Sequence, residues 1–403
     1  MPLRNSPYLP VLLAGISMIA PFAIDTYLPA FHTMARVLDA TPVQMQQTLS
    51  AYLAAFGGML LFHGALSDAF GRRPVILTSL AVFTLASAAC MFVSSIHALI
   101  VLRVLQGCTG GAGVVVGRAI IRDLHEGPQA QRMMSQVTMW FSLAPAVAPV
   151  IGGYLLHHLG WHAIFGFMAL SGLLLLLLCQ RHLPETLPPE ERQLFEARPL
   201  LHAYAEVLGD PRFLLLSLTL AANFAAFFLY IASAPAFVGD LLHQDETRYA
   251  WLFLPGIAGI SLGAWLSGRV AGHWSRARTI QAGFALTCGS ALLNLVGNAW
   301  HAPALPWAVL PIMSYTTGMA LVMPSVTLIL LDFFPHNRGM AASLQNCMAT
   351  LLNAFLAGVV SPLLSVSGLG LAGGMAGFSA AGLVCWLAYW HHPQRLRTVT
   401  TPC

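Results

Sequence analysis

Twelve stretches of roughly twenty mostly apolar residues follow one another along this chain, and no other property restricts its folding as tightly. They run near 9–31, 43–66, 75–94, 97–121, 132–157, 162–179, 213–238, 250–272, 279–299, 305–331, 338–364 and 370–390. A helix rises about 1.5 Å per residue, so about 20 residues cross the hydrocarbon layer of a bilayer. Inside lipid every backbone polar group must be bonded within the structure, and unbroken apolar runs of this length satisfy that as helices. Charge agrees with this reading. Only 8% of the 403 residues are charged, against about 25% in a soluble domain. The expected fold class is therefore all-α integral membrane, with lipid as the main solvent. The first run follows one arginine, as in a signal peptide. It contains Asp25, however, lacks a small-residue cleavage pattern and leads into eleven more runs, so it reads as a first transmembrane helix.

One long polar stretch interrupts the series at 180–212 and holds six of the fifteen acids. It divides the runs six and six, which predicts an N-terminal bundle over 1–180, a linker over 181–212 and a C-terminal bundle over 213–403. Two six-helix halves around a charged loop are the pattern of a parallel-repeat transporter.

All nineteen basic residues are arginine. With the N-terminus on the cytoplasmic side, that side holds Arg4, Arg72, Arg73, Arg118, Arg122, Arg132, Arg181, Arg192, Arg198, Arg212, Arg269, Arg276, Arg278, Arg338, Arg395 and Arg397. The opposite side holds Arg36 and Arg248, and Arg103 falls within the membrane. Positive charge collects on cytoplasmic loops, so both termini and the linker are expected there. The net charge of +4 is no nucleic-acid signature. Seven scattered cysteines (Cys90, Cys108, Cys179, Cys288, Cys347, Cys385 and Cys403) form no CxxC or His/Cys cluster, which predicts neither a disulfide framework nor a metal site.

Between the second and third runs the chain reads Gly64-Ala-Leu-Ser-Asp68-Ala-Phe-Gly71-Arg72-Arg73. Here the sequence resembles the major facilitator superfamily, whose loop motif is G-x-x-x-D-x-x-G-R-[RK]. The resemblance implies twelve helices in two bundles, a secondary transporter moving a small molecule by alternating access, and helix 11 facing this loop. Asp68 ends a helix, where the dipole disfavours an anion, so Asp68, Arg72 and the start of helix 11 are expected to latch the cytoplasmic side. The corresponding loop of the second half, Gly268-Arg269-Val-Ala-Gly272, keeps glycine and arginine but lacks the acid.

Helix 4 carries Arg103-Val-Leu-Gln106-Gly107, similar to the arginine motif of proton-driven facilitators. A charge inside a span is expensive and marks a functional site. Asp25 is the acid placed well inside a span, and it lies at the same depth as Arg103, both roughly 9 Å below the outer surface. Pairing of the two across the cavity is the expectation. Burial disfavours a carboxylate and a guanidinium favours it, so Asp25 and Arg103 are read as the proton-coupling pair. Helix 5 carries Pro145 and then Ala148-Pro149-Val-Ile-Gly152-Gly153, similar to the G-P-x-x-G-G motif of antiporters with Ala148 in place of its first glycine. Its prolines and glycines suggest a bending gate that approaches a partner in the other half.

Together with Asp25-Thr-Tyr27-Leu-Pro-Ala in helix 1 and Phe334-Pro335-His336 before helix 11, these motifs look like the Bcr/CflA drug-resistance branch. That implies a proton-coupled exporter of amphipathic molecules in a bacterial inner membrane, with a metabolite or siderophore exporter or a proton-coupled importer as alternatives on the same fold. Candidate substrate contacts on the expected cavity-lining spans are Tyr27, Tyr52, Trp140, Asn223, Phe227, Tyr230, Gln345 and Asn346. His157, His158 and His162 read as an interfacial loop rather than a metal site. No P-loop is present, so the proton gradient is the expected energy source and no cofactor is called for. One deep acid offers no catalytic constellation for an enzyme, and no charged ring suits a channel. The expected partners are a small-molecule substrate, protons and membrane lipid, and nothing demands more than a monomer.

Overall fold

The computed structural model describes residues 8–245, 248–335 and 337–393, and all regular structure among them is helical. Arg4, His336, Arg395, Arg397 and Cys403 lie outside the described residues. Among the described residues eleven helices are long and apolar enough to cross a membrane, and twelve if the bent pair Pro42–Leu60 and His63–Phe70 is counted as one span. The chain forms two units, 1–196 with 246–249, and 197–245 with 250–403.

The first unit contains α1 (Tyr8–Asp25, continued through the 3-10 turn Leu28–Ala30 into Phe31–Val37), α2 (Pro42–Leu60 and His63–Phe70), α3 (Arg72–Cys90), α4 (Ile96–Gly110 and Ala112–Leu124), α5 (Gly127–Leu159) and α6 (His162–His182). Local chemistry sets several boundaries. Thr41 and Gln44 form a reciprocal capping box at the start of α2, with Gln44 N–H donating to Thr41 Oγ1 at 3.2 Å and Thr41 N–H to Gln44 Oε1 at 2.9 Å. Ser95 caps α4 by accepting from the Ala98 amide. Between α2 and α3 the chain reverses on Gly71 alone, at φ +96°, where a side chain would be strained. The two arms of α2 meet at 51°.

The second unit holds the linker helix Ala197–Leu208, α7 (Pro211–Ala232, running on into Pro235–Leu241), α8 (Ala250–Val270), α9 (Arg276–Trp300), α10 (Leu310–Asp332), α11 (Arg338–Phe355, Leu356–Val360 and Ser361–Leu364) and α12 (Gly368–Trp390). Both α7 and α11 change to a wide π turn part-way along, at segments bordered by Pro235 and Pro362, which cannot donate a backbone bond. Ser233 and Ser361 bridge those two breaks hydroxyl to hydroxyl at 2.7 Å.

The first helix of each half is its central one. The apolar windows of α1 and α7 are 72% and 78% buried, whereas the other spans so measured range from 28% to 56%. That equivalence fits two repeats of one plan. Helices at the rim show the opposite face: α6 exposes Leu170, Leu173, Leu174 and Leu177 along one side, a surface suited to lipid.

The linker over 180–212 is divided between the units. Its first part lies on the first unit, where the Gln193 amide donates to the Asp68 carbonyl at 3.1 Å. Its helix packs on the second, with Tyr204 and Val207 buried while Leu201 faces outward.

Candidate functional site

Helix α1 ends at Asp25 because Leu28-Pro29-Ala30 tightens into a 3-10 turn, and the turn directs Tyr27 into the bundle. Asp25 is 3% exposed, and its Oδ1 has no hydrogen-bond partner among the described residues. Arg103 on α4 is fully buried. Its guanidinium lies between two aromatic faces, 4.3 Å from the Tyr27 ring centre and 4.4 Å from that of Tyr52. The ring faces supply negative potential that partly replaces the lost hydration of the cation. Arg103 Nη1 donates to Gln106 Oε1 at 2.7 Å, Gln106 Nε2 donates to Ser87 Oγ at 2.8 Å, and the Ser87 hydroxyl donates to the Phe83 carbonyl at 2.7 Å, tying the arginine to α3. Tyr27 and Thr48 hydroxyls meet at 3.1 Å, and the Tyr52 hydroxyl donates to the Ala20 carbonyl at 3.3 Å.

The expected ion pair between Asp25 and Arg103 does not form. Matched depth on neighbouring helices is a necessary condition, but Tyr27 and Tyr52 occupy the faces of the guanidinium and Gln106 takes its Nη1. Arg103 Nε and Nη2 stay without hydrogen-bond partners among the described residues, as does Thr26 Oγ1. Buried unpaired polar atoms are rare and call for a functional reason. Four such atoms belong to Asp25, Thr26 and Arg103; others among the described residues are spread over both units, on Gln46, His125 and Asn353 for example.

Small residues bring the supporting helices close. A side chain on Gly113 would collide with the Ile16 backbone of α1, and one on Gly152 with the Thr26 carbonyl. Within the helix 5 motif, Gly152 makes its close approach to α1 of its own half, next to Asp25. Pro145 and Pro149 both lie within α5, which runs unbroken over 33 residues.

At the end of the unit where α2 meets α3, Arg72 pairs with Asp68, and its Nε donates to Asp123 at the end of α4 at 3.1 Å. Its Nη1 also donates to Ser67 Oγ at 2.7 Å. Glu185 from the linker caps α3, accepting from the Arg72 amide at 2.9 Å and the Arg73 amide at 3.3 Å. Arg73 Nη2 donates to the Gln180 carbonyl at 2.6 Å. A Cβ on Gly71 would press on Glu185 and Arg192, so this glycine serves the linker as well as the turn. Gly64 has ordinary clearance, its nearest neighbour being Val115. In the second unit Arg276 pairs with Asp332 at the end of α10 at 2.7 Å. That is the position equivalent to Asp123 on α4, so the second-half loop keeps this half of the charge network although it lacks an acid of its own.

The remaining candidates separate by environment. In the second unit Asn223 is fully buried and accepts from the Tyr315 hydroxyl through its side-chain oxygen at 3.1 Å and its carbonyl at 2.9 Å. The Tyr230 hydroxyl accepts from Asn294 at 2.6 Å, and Phe227 packs where a side chain on Gly256 would stand. Trp140 and Asn346 are exposed, and Gln345 is half-buried. Thr48, Ser87, Asp123 and Glu185 were not singled out from sequence. Gln106 could have been, because it sits one helical turn from Arg103 on the same face. His157 and His158 stack edge to face while His162 stacks on Trp161, and no metal-holding group of three ligands occurs among the described residues.

Relatives share this plan. The chain is 31% identical to an uncharacterized MFS-type transporter, YdgK, of Bacillus subtilis, with 88% of each chain covered. It is 29% identical to multidrug resistance protein D of Escherichia coli over 94% of this chain and 93% of that one. It is 42% identical to a bicyclomycin resistance protein homologue of Haemophilus influenzae over 192 residues, about half of each chain. The crystal structure of a bacterial homologue of the human lysosomal transporter Spinster has the same fold, with TM-score 0.73 at 16% identity over the full length of both. The family described as the Major Facilitator Superfamily matches residues 13–358, and this multi-pass membrane protein belongs to that superfamily of transporters, which is not an enzyme class.

Proposed function

We propose that this transporter exports small amphipathic molecules in exchange for protons, with Asp25 as the proton carrier and Arg103 as its electrostatic neighbour. The observation that carries the reading is the buried Asp25 carboxylate, whose Oδ1 has no partner, two residues from the Tyr27 ring on which Arg103 rests. A free carboxylate oxygen takes up a proton without breaking an existing hydrogen bond. A substrate arriving beside it changes the local charge and water, and the proton leaves to the other side. Export of drug-like molecules is supported by relatives named for multidrug and bicyclomycin resistance. Arginines gathered at one end of the spans support cytoplasmic termini. Asp68, Arg72 and the start of α11 form the proposed cytoplasmic latch, and α5 with Pro145, Pro149, Gly152 and Gly153 forms the proposed gate.

The test is proton release from purified, detergent-solubilised protein on addition of a panel of drugs and siderophores, beside Asp25→Asn. Release by the parent and none by the variant is expected. Equal release by both would remove Asp25 from the coupling step. Everted vesicles then fix the direction, since an importer fails to accumulate substrate in them.

A further inference from the structure

Three hydrogen bonds in a row lead from Arg103 to the backbone of α3, and each has a fixed direction. An arginine only donates, so its Nη1 meets the oxygen of the Gln106 amide, at 2.7 Å. The amide nitrogen then needs an acceptor of its own. It finds the Ser87 hydroxyl at 2.8 Å, whose hydrogen is committed to the Phe83 carbonyl at 2.7 Å, so that the hydroxyl oxygen is left to accept. Arg103, Gln106 and Ser87 are all fully buried, so bulk water does not stand in for a lost partner. The tyrosine rings play a different part. A ring face attracts the guanidinium without choosing a direction for its N–H groups. Tyr27 and Tyr52 therefore confine the cation, and Gln106 turns it. With Nη1 engaged, Nε and Nη2 are the nitrogens left without partners among the described residues. Those two form the edge that grips a carboxylate with two parallel bonds.

We propose that Ser87 is a positioning residue for proton coupling: through Gln106 it sets which edge of the Arg103 guanidinium stays open to a carboxylate. The inference rests on the reading of Asp25 and Arg103 as the coupling site. Ser87 stands outside the helix 4 motif, on α3, and its hydrogen bonds go to Gln106 and to its own helix. Without that hydroxyl, Gln106 Nε2 is a buried donor with no acceptor, a costly state that the side chain relieves by moving. The amide oxygen leaves Arg103 with it, and the guanidinium is free to turn between the rings. Thr84, three residues earlier on α3, supplies the contrast. Its hydroxyl donates to the Leu80 carbonyl at 2.7 Å in the same manner, but it faces Gly172 of α6 instead of Gln106.

The test has two arms, both on the full-length protein. In lipid nanodiscs, with arginine labelled by nitrogen-15, Arg103 is assigned by the magnetic resonance signals that disappear in Arg103→Lys. Its two Nη groups are expected to be inequivalent in the parent, one hydrogen-bonded and one not, and to become equivalent in Ser87→Ala. In proteoliposomes, with ethidium as the transported probe, Ser87→Ala should lower transport driven by a pH gradient roughly tenfold, the worth of one hydrogen bond to a charged group. Ethidium–ethidium exchange, which needs no net proton movement, should stay near the parent rate. Ser87→Thr keeps a hydroxyl that bonds the helix carbonyl and still accepts, and should restore both readouts. Thr84→Ala should match the parent in both. Should Ser87→Ala not fold, Ser87→Cys takes its place, filling the same space with a weak acceptor. Unchanged Arg103 signals in Ser87→Ala would overturn the proposal. Equal loss of gradient-driven transport and exchange would overturn it too, since that marks a purely structural role. A parent that moves no ethidium, or an Asp25→Asn protein that still follows the gradient, counts against the coupling reading alone, and the Arg103 signals then decide for Ser87.

Discussion

Replacing Gly152 by alanine puts a methyl group against the peptide of Thr26. The new Cβ would lie 2.8 Å from the Thr26 carbonyl carbon and 3.2 Å from its Cα, with the carbonyl oxygen nearer still. Carbon–carbon contact is comfortable from about 3.5 Å, so α1 and α5 must part by at least about 0.7 Å. The obstacle is backbone on both sides, and no side chain can rotate out of the way. Overpacking of this kind costs about 1–3 kcal/mol. Thr26 follows Asp25 in the chain, so the displacement also moves the carboxylate relative to Arg103. Gly152→Ala is therefore expected to melt earlier than the parent and to lose proton-coupled transport beyond its loss of stability. Gly297→Ala on α9 is the control, since nothing lies within 4 Å of a Cβ there. Melting followed by tryptophan fluorescence, and transport rate in proteoliposomes, give the two readouts. A Gly152→Ala protein that melts and transports like the parent would refute the reasoning, because the close approach would then carry neither stability nor function.

Glu185→Ala removes the acceptor for the first two amides of α3 and the partner of Arg192. It should destabilise the first unit by about 1–2 kcal/mol and speed tryptic cleavage after Arg192, and an unchanged cleavage rate would count against the capping role. Asp210 caps α7 outside the membrane; burial alone would raise its carboxyl, but the Arg212 side chain and amide, the Arg212 charge and the Phe213 amide outweigh burial and hold it below the ordinary value. A lowered folded value means the contribution is full above the ordinary carboxylate range and disappears as pH falls through the folded value. Asp210→Ala should thus cost about 1 kcal/mol at neutral pH, and its melting temperature should converge on the parent's in acid.

Long apolar runs and a spaced loop motif made the twelve spans, the two halves and the Arg72 end readable from sequence, because each depends on local chemistry. Depth along a helix also followed from counting, which is how Asp25 and Arg103 came together. Azimuth did not follow. Whether Arg103 faces Asp25 or the two tyrosine rings depends on the rotation and tilt of three helices, and an isolated residue count holds no record of those. Glu185 was hidden for a different reason: its partners are 112 and 113 residues away, and its surroundings in the chain read as an ordinary polar linker. The bend of α2 falls where the chain has no proline to announce it, whereas the π turns of α7 and α11 border Pro235 and Pro362. Asn223 and Tyr230 read as cavity residues because polar groups in spans invite that reading; Asn223 Oδ1 accepts from Tyr315 while its Nδ2 has no partner among the described residues, and the Tyr230 hydroxyl accepts from Asn294.

The two prolines of α5 have a mechanical meaning. Pro145 and Pro149 are four residues apart, so the backbone bonds they cannot make, to the carbonyls of Phe141 and Pro145, would have lain one above the other along a single side of the helix. The opposite side keeps its full ladder. A rod weakened along one edge does not flex equally in all directions; it opens toward the weakened edge and resists bending across it. The 33-residue helix is in this sense a spring with a chosen plane, and Gly152, less than one turn beyond the second proline, is where that spring bears on the chain beside Asp25.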